Sequence, residues 1–184
     1  VAGVVAGLTN QDQTIYLNHA GKRDLSSQVD MRDDSVFAIF STTKAITTTL
    51  ALQQYENGLL DLDAPARLYL PEIAELQVLQ GFGAQNQPLF SAAKNEITTR
   101  MLLLHTAGLG YDFFNADYLN LTTHHGYPSV ISATKAALKT PLLFEPGSQW
   151  QYGANIDWAG LVIEAVGGKR LGTLMQEQIF NPLA

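Results

Sequence analysis

The chain opens on strand chemistry and then abandons it, and that order limits the folds available to it. Residues 1–8 are small and β-branched, Asn10-Gln-Asp12 supplies turn chemistry, and residues 14–17 alternate. This is the pattern of a hairpin, with Gly21 ending it. A lone two-stranded hairpin is marginal in water, so this one calls for a larger sheet. No later segment reads convincingly as a strand. Residues 36–40 form only a short apolar stretch, and Gly81-Phe-Gly-Ala-Gln-Asn-Gln87 reads as a loop. The sheet is therefore expected to be completed by a further C-terminal segment or by another chain.

From Ser41 the periodicity is helical. Ile46, Leu50 and, less regularly, Tyr55 face one way until Asn57-Gly58 stops the run. Asp61-Leu-Asp-Ala-Pro65 reads as a turn. A second helix begins near Thr98 and runs through Met101, Leu102 and His105 to Gly108 and Gly110. A third is expected from Pro128-Ser129 to Pro141. The clearest comes last: Asn155 caps a helix whose Ala159, Val162, Ile163 and Val166 fall at i, i+3, i+4 and i+7, closed by Gly167-Gly168. Leu171, Leu174, Met175 and Ile179 repeat the spacing. The expected organisation is residues 1–40 as the hairpin of an α/β sheet domain and 41–184 as a mainly helical domain.

With 184 residues, 46% hydrophobic and 15% charged, the chain can bury a sizeable core. Its net charge of −6 and lack of basic runs longer than Lys22-Arg23 and Lys169-Arg170 argue against nucleic-acid and anionic-membrane partners. No apolar run approaches the ~18 residues of a membrane helix. No signal peptide precedes the hairpin, which leaves the compartment unknown with the cytoplasm as the expectation. Cysteine is absent, which removes disulfides, thiolate metal sites and a cysteine nucleophile. His124 and His125 are adjacent and point apart on regular structure, with no third ligand suitably spaced, so neither a metal nor another cofactor is expected.

A serine nucleophile remains, and it needs a base. No Gly-x-Ser-x-Gly elbow exists, but Ser-x-x-Lys occurs three times, at Ser41–Lys44, Ser91–Lys94 and Ser132–Lys135. Chance alone gives roughly one. At a helix start this spacing puts amine and hydroxyl on one face, beside free N–H groups and the positive end of the helix dipole. Burial lowers a lysine pKa and would leave a neutral amine to accept the proton. Only Ser41 directly follows an apolar segment and opens a long apolar helix. Spacing alone still favours an ordinary N-cap serine with a solvated lysine.

Four motifs in one order change that balance. Ser41-Thr-Thr-Lys44, Asn57-Gly-Leu-Leu-Asp-Leu-Asp-Ala-Pro65, Leu103-Leu-His-Thr-Ala-Gly-Leu109 and Glu145-Pro-Gly-Ser-Gln-Trp-Gln-Tyr152 span the chain. The series resembles the serine β-lactamase-like family: class C β-lactamases, D-alanyl-D-alanine carboxypeptidases and family VIII carboxylesterases. The resemblance implies a β-lactamase/transpeptidase-like fold, with an antiparallel sheet piece beside the helical domain. It also implies that Ser41 is acylated, that Lys44 is its partner base, and that Tyr152 is the second proton-transfer group.

Departures from the family pattern sharpen the expectation. Lactamases and carboxypeptidases carry Tyr-x-Asn, whereas Ala154 stands two after Tyr152 and Asn155 one later. The missing amide tilts the reading from β-lactams to esters. Tyr152-Gly-Ala-Asn-Ile-Asp-Trp-Ala-Gly160 is more similar to the esterase branch and to an acyltransferase of fungal statin biosynthesis. Asn155 and Asp157 read mainly as helix-start residues, and Asn155 only secondarily as a substrate contact. Tyr111 and Trp150 are the other candidate pocket residues. His105 reads as a structural hydrogen-bonder, and Ala107 replaces the motif's usual serine at little expected catalytic consequence. The family's C-terminal Lys-Thr-Gly or His-x-Gly strand, source of the second oxyanion donor, has no counterpart; Lys139-Thr-Pro141 precedes Tyr152 and has proline where glycine is needed. Expected, then, is a serine carboxylesterase for a small-molecule ester or acyl substrate, with acyl transfer open to it. The alternatives are a β-lactamase or D-alanyl-D-alanine carboxypeptidase, and an inactive fragment or half of a complemented assembly.

Overall fold

The opening hairpin forms where the alternation places it. Strands β1 (Gly3–Thr9) and β2 (Thr14–Gly21) pair antiparallel, with Gly3 opposite Gly21 and Leu8 opposite Tyr16. Asn10 sets the turn: its side-chain oxygen accepts from the N–H groups of Asp12 and Gln13 at 2.9 and 2.8 Å. Gly21 adopts φ +82°, and a Cβ there would stand 2.4 Å from the Ala2 carbonyl. Every residue of β2 is exposed. The computed structural model describes residues 1–26 and 28–183 and divides into two compact units, Val1–Phe40 and Ser41–Ala184.

The second unit is built on helix α1 (Thr43–Glu56), which packs against the long helix near the end of the chain. Its inward face carries Thr47, Leu50, Ala51 and Gln54, while Tyr55 stays exposed. Asn57 ends it, with Gly58 at φ +70°. A hairpin that the sequence does not announce follows, its turn in the stretch read as loop: β3 (Gln77–Phe82) and β4 (Pro88–Ala92) pair antiparallel with a bulge between Leu79 and Gly81. Glycines and glutamines hide its alternation. What fixes it is tertiary: Leu79 N–H donates to the Leu142 carbonyl at 2.8 Å, Leu142 N–H donates to Gln77 at 2.7 Å, and Val78 and Leu142 are buried.

Helix α2 (Thr99–Leu103) is capped by Thr98, whose hydroxyl accepts from Met101 N–H. The sequence gives little warning of α3 (Ala116–His124), which buries only Tyr118 and Leu121; Asn115 caps it by accepting from Tyr118 N–H. The helix expected from Pro128 to Pro141 does not form. That stretch holds two short 3₁₀ turns, Val130–Ser132 and Lys135–Leu138, separated by Ala133 at φ +52°. Such a residue interrupts a right-handed helix.

Helix α4 (Asn155–Gly167) is the spine of the core, and Gly168 stops it in the left-handed conformation. Trp158, Ala159, Val162 and Ile163 are at most 1% exposed; each larger apolar side chain so buried contributes about 1.5–3 kcal/mol. The Trp158 indole donates to the Leu138 carbonyl at 3.0 Å. Helix α5 (Leu171–Met175) adds Leu174, a wider-wound turn spans Gln176–Phe180, and α6 (Asn181–Leu183) ends the described chain. One detail of α4 departs from the sequence pattern: its N-cap is Ala154, and Asn155 is the first helical residue.

Candidate active site

Ser41 lies in a helical turn, Phe40–Thr42, leading into α1, and Lys44 follows one turn later. The i, i+3 spacing brings Lys44 Nζ to 3.2 Å from Ser41 Oγ. Tyr152 arrives from 111 residues away, and its phenol donates to the same Oγ at 2.9 Å. Ser41 is exposed, as a nucleophile must be. Thr42, the N-cap of α1, makes no side-chain capping bond, so no cap occupies the first-turn N–H donors beside Ser41.

The other two Ser-x-x-Lys copies assemble nothing comparable. Ser91 sits in β4 and accepts from Gln80 Nε2, while Lys94 lies beyond the strand. Ser132 shares a hydrogen bond with Thr134. The spacing carries chemistry only where the helical backbone runs unbroken from serine to lysine; Ala133 in the left-handed conformation breaks it between Ser132 and Lys135.

Tyr152 stands in the stretch before α4, which is pressed against the 105–110 segment. Gly153 makes this possible: a Cβ there would lie 2.4 Å from the backbone of Gly110. Ala154 N–H donates to the Gly110 carbonyl at 3.3 Å, and Gln151 N–H to the His105 carbonyl at 2.9 Å. Tyr111 is buried, meets Tyr152 edge-on with ring centroids 5.7 Å apart, and stacks on Phe113 at 5.0 Å. Lys44 Nζ stands 5.1 Å from the Tyr152 ring centroid and 5.7 Å from that of Tyr111.

The charges sort themselves differently from the sequence expectation of a neutral lysine. Burial works against the Lys44 ammonium, but bonding to the Tyr152 and Tyr111 phenols outweighs it and holds the amine above the usual lysine value. The bond with Ser41 lowers the Tyr152 phenol most; burial opposes it, and the Lys44 ammonium adds to the lowering. Tyr111 moves the other way, raised first by burial and then by the Asp157 carboxylate. The pair therefore reads as a lysine cation beside an acidified phenol.

Asn155 does not face a cleft. Its side chain is fully buried, and its amide nitrogen lies 2.9 Å from the Leu109 carbonyl, 3.1 Å from His105 Nδ1 and 3.2 Å from the Gln151 carbonyl. It serves as an internal tie, which corrects its reading both as a helix cap and as a substrate contact. Trp150 is 65% exposed and meets the His105 ring edge-on at 6.3 Å. His105 itself is buried, with its imidazole pushed down to about 4 by burial and then by Lys44. No spacing in the sequence links position 105 to Tyr152, yet the two rings lie 4.7 Å apart. Among the described residues no cluster of His, Asp and Glu is arranged to hold a metal, and no helix is long and apolar enough to cross a membrane.

The chain belongs to the beta-lactamase family, whose model matches residues 1–184. Lovastatin esterase of Penicillium rubens is 36% identical over 184 residues, 98% of this chain and 46% of that protein. Monacolin J acid methylbutanoyltransferase of Aspergillus terreus is 35% identical over 166 residues, 88% of this chain and 40% of that protein. Unliganded simvastatin synthase from Aspergillus terreus superposes with a TM-score of 0.87 at 32% identity, covering 100% of this chain and 48% of that one. The chain spans about half the length of the curated relatives it matches. Its fold is β-lactamase/transpeptidase-like, with helices and small antiparallel sheets, and its relatives are those of the esterase and acyltransferase branch.

Proposed function

We propose that the protein is a serine hydrolase working through an acyl-enzyme on Ser41, a carboxylesterase for small or medium acyl esters that can also pass the acyl group to an alcohol. The observation carrying this reading is the convergence on one atom: Ser41 Oγ has Lys44 Nζ at 3.2 Å and the Tyr152 hydroxyl at 2.9 Å. A nucleophile, a proton acceptor and a fixed cation within bonding distance form the minimal set for acyl transfer.

In the first step the Tyr152 phenolate takes the Ser41 proton as Oγ bonds to the ester carbonyl carbon. Lys44 stays an ammonium and stabilises the phenolate. Collapse of the tetrahedral intermediate breaks the ester C–O bond, and the phenol returns its proton to the leaving alkoxide. Water or an alcohol then attacks the acyl-enzyme and gives its proton to Tyr152; as the tetrahedral intermediate collapses, the bond to Oγ breaks, Tyr152 returns that proton to Ser41, and the acid or a new ester leaves. The uncapped N–H groups at the start of α1 are available to the developing oxyanion.

Two features favour esters over β-lactams. Ala154 occupies the place where Tyr-x-Asn members present an amide, and it is buried. One relative is named an esterase and another a methylbutanoyltransferase, which suits one intermediate with two acceptors. Treating the protein with a fluorophosphonate and recording its intact mass tests the nucleophile: one adduct is expected, mapping to Ser41. Turnover of a nitrophenyl ester should be lost in Ser41→Ala. Turnover of a chromogenic cephalosporin without ester turnover would reverse the ranking, and a protein that never labels would remove the nucleophile.

A further inference from the structure

Tyr152 belongs to no helix or strand, although the proposed chemistry requires its oxygen to stay within hydrogen-bond reach of Ser41. One residue touches the segment around it at four places. The His105 carbonyl accepts from Gln151 N–H at 2.9 Å. His105 Nδ1 faces the Gly153 N–H at 3.4 Å and the Asn155 amide nitrogen at 3.1 Å. The imidazole ring lies against the Tyr152 ring, with centroids 4.7 Å apart and planes 35° from parallel. Contacts at 151, 152, 153 and 155 bracket the phenol on both sides along the chain.

From this geometry we propose that His105 is a positioning residue for Tyr152, holding the phenol at Ser41 through its carbonyl, its Nδ1 and its ring face together. The assignment rests on the serine-hydrolase reading above. His105 takes φ +59°, a left-handed conformation that non-glycine residues adopt only at a cost. That conformation follows the end of α2, and from it the residue presents its carbonyl and its ring to the same partner segment. The Gly153 N–H aimed at Nδ1 marks that nitrogen as the acceptor and places the ring proton on Nε2. The ring is therefore neutral while it does this work. The charged and titratable groups facing it are the Lys44 ammonium and the Tyr152 phenol; protonating Nδ1 would set a further positive donor against the Gly153 N–H and the Lys44 ammonium.

Two substitutions separate the parts of the device. His105→Phe keeps a ring against Tyr152 and removes the acceptor. His105→Asn tolerates the left-handed backbone and offers an oxygen to the same donors, but removes the ring. Each is made in the unsubstituted protein and in Tyr152→Phe, and the rate of fluorophosphonate labelling of Ser41 and the kcat and KM for a nitrophenyl ester are measured. Expected is a loss in kcat of about 10- to 100-fold with KM nearly unchanged, as for a displaced catalytic group. In the Tyr152→Phe background the same substitutions should cost less than about threefold, because the group they position is gone.

Equal losses in both backgrounds would overturn the proposal, since a residue that merely supports the fold acts with or without the phenol. Full activity in both single variants would overturn it as well. If His105→Asn does not fold, His105→Gln, which likewise removes the ring, is put through the same cycle against the same expectations. An unsubstituted protein that fails to label at Ser41 would instead remove the serine-hydrolase reading, and the assignment of His105 with it.

Discussion

The two main helices begin alike and end up doing opposite things. Neither α1 nor α4 has a side-chain cap bond at its N-terminus, and each has a polar residue at the start, Ser41 before α1 and Asn155 as the first residue of α4. Ser41 is exposed, and its hydroxyl is bonded to two groups that can move protons, Lys44 and Tyr152. Asn155 is fully buried, and its amide nitrogen donates to the Leu109 and Gln151 carbonyls and lies against His105 Nδ1. A polar group at the surface needs no internal partner and stays free for chemistry; a buried one must be satisfied inside and becomes structural. The same kind of helix start thus yields a reactive corner in one place and an anchor in the other.

If that division holds, the largest effect belongs to the reactive corner alone. Ser41→Ala should lower ester turnover and fluorophosphonate labelling by about 10³-fold or more, because the nucleophile is removed. Its denaturant midpoint should stay within about 0.5 kcal/mol of the parent, as for other exposed substitutions. A marked loss of stability in Ser41→Ala would break the comparison. Lys44→Met sharpens it through pH. With Lys44 beside it, the Tyr152 phenol ionises below its ordinary value, so kcat/KM should rise with pH along a limb centred below pH ~10. Without the ammonium that limb should move to higher pH, with a loss of about 10²-fold at neutral pH. A limb that stays in place would mean the Lys44 ammonium does not tune the phenol, and a limb that disappears would mean Lys44 itself is the titrating base.

How far the sequence reveals these corners follows from the range of the interactions that make them. The opening hairpin, the stop at Asn57-Gly58 and the α4 stripe from Ala159 to Val166 are local patterns, and they appear where periodicity puts them. The β3–β4 hairpin is held by Leu142, some fifty residues beyond it, and its glycines and glutamines carry no alternation to read. Residues 128–141 have helical spacing, but their local bonding breaks at Ala133. In the site, the Ser41–Lys44 pair is visible as spacing. Tyr152 becomes visible only through the ordered motifs, and the tie from His105 to Tyr152 has no sequence signal because 47 positions separate them. The charge state of Lys44 is also invisible, since two tyrosines from other elements decide it.

The anchoring corner should show the converse phenotype of Ser41→Ala. Asn155→Ala leaves His105 Nδ1 and the Leu109 carbonyl without their amide partner and opens space at a fully buried position. The cost should be about 1–3 kcal/mol, read as a lower denaturant midpoint with an unchanged m-value. Ser41→Ala should leave that midpoint alone, so the two variants separate stability from reactivity at two helix starts of one core. A fully stable Asn155→Ala would show that the amide network is not what holds the start of α4.

The smallest expected effect tests whether Ser41, of three identically spaced serines, is the reactive one. Ser91 and Lys94 fall on an extended strand and the chain beyond it, where residues three apart point away from each other. Ser132 is exposed and bonded to Thr134 within a 3₁₀ turn. Neither has an acidified phenol nearby, and a serine without a base is a poor nucleophile at neutral pH. Ser91→Ala and Ser132→Ala should therefore each stay within about 0.5 kcal/mol of the parent in stability and label at the parental rate, with the adduct still on Ser41. Labelling lost in either variant, or an adduct mapped to Ser91 or Ser132, would mean that spacing outweighs backbone geometry and that the helix start is not what activates the serine.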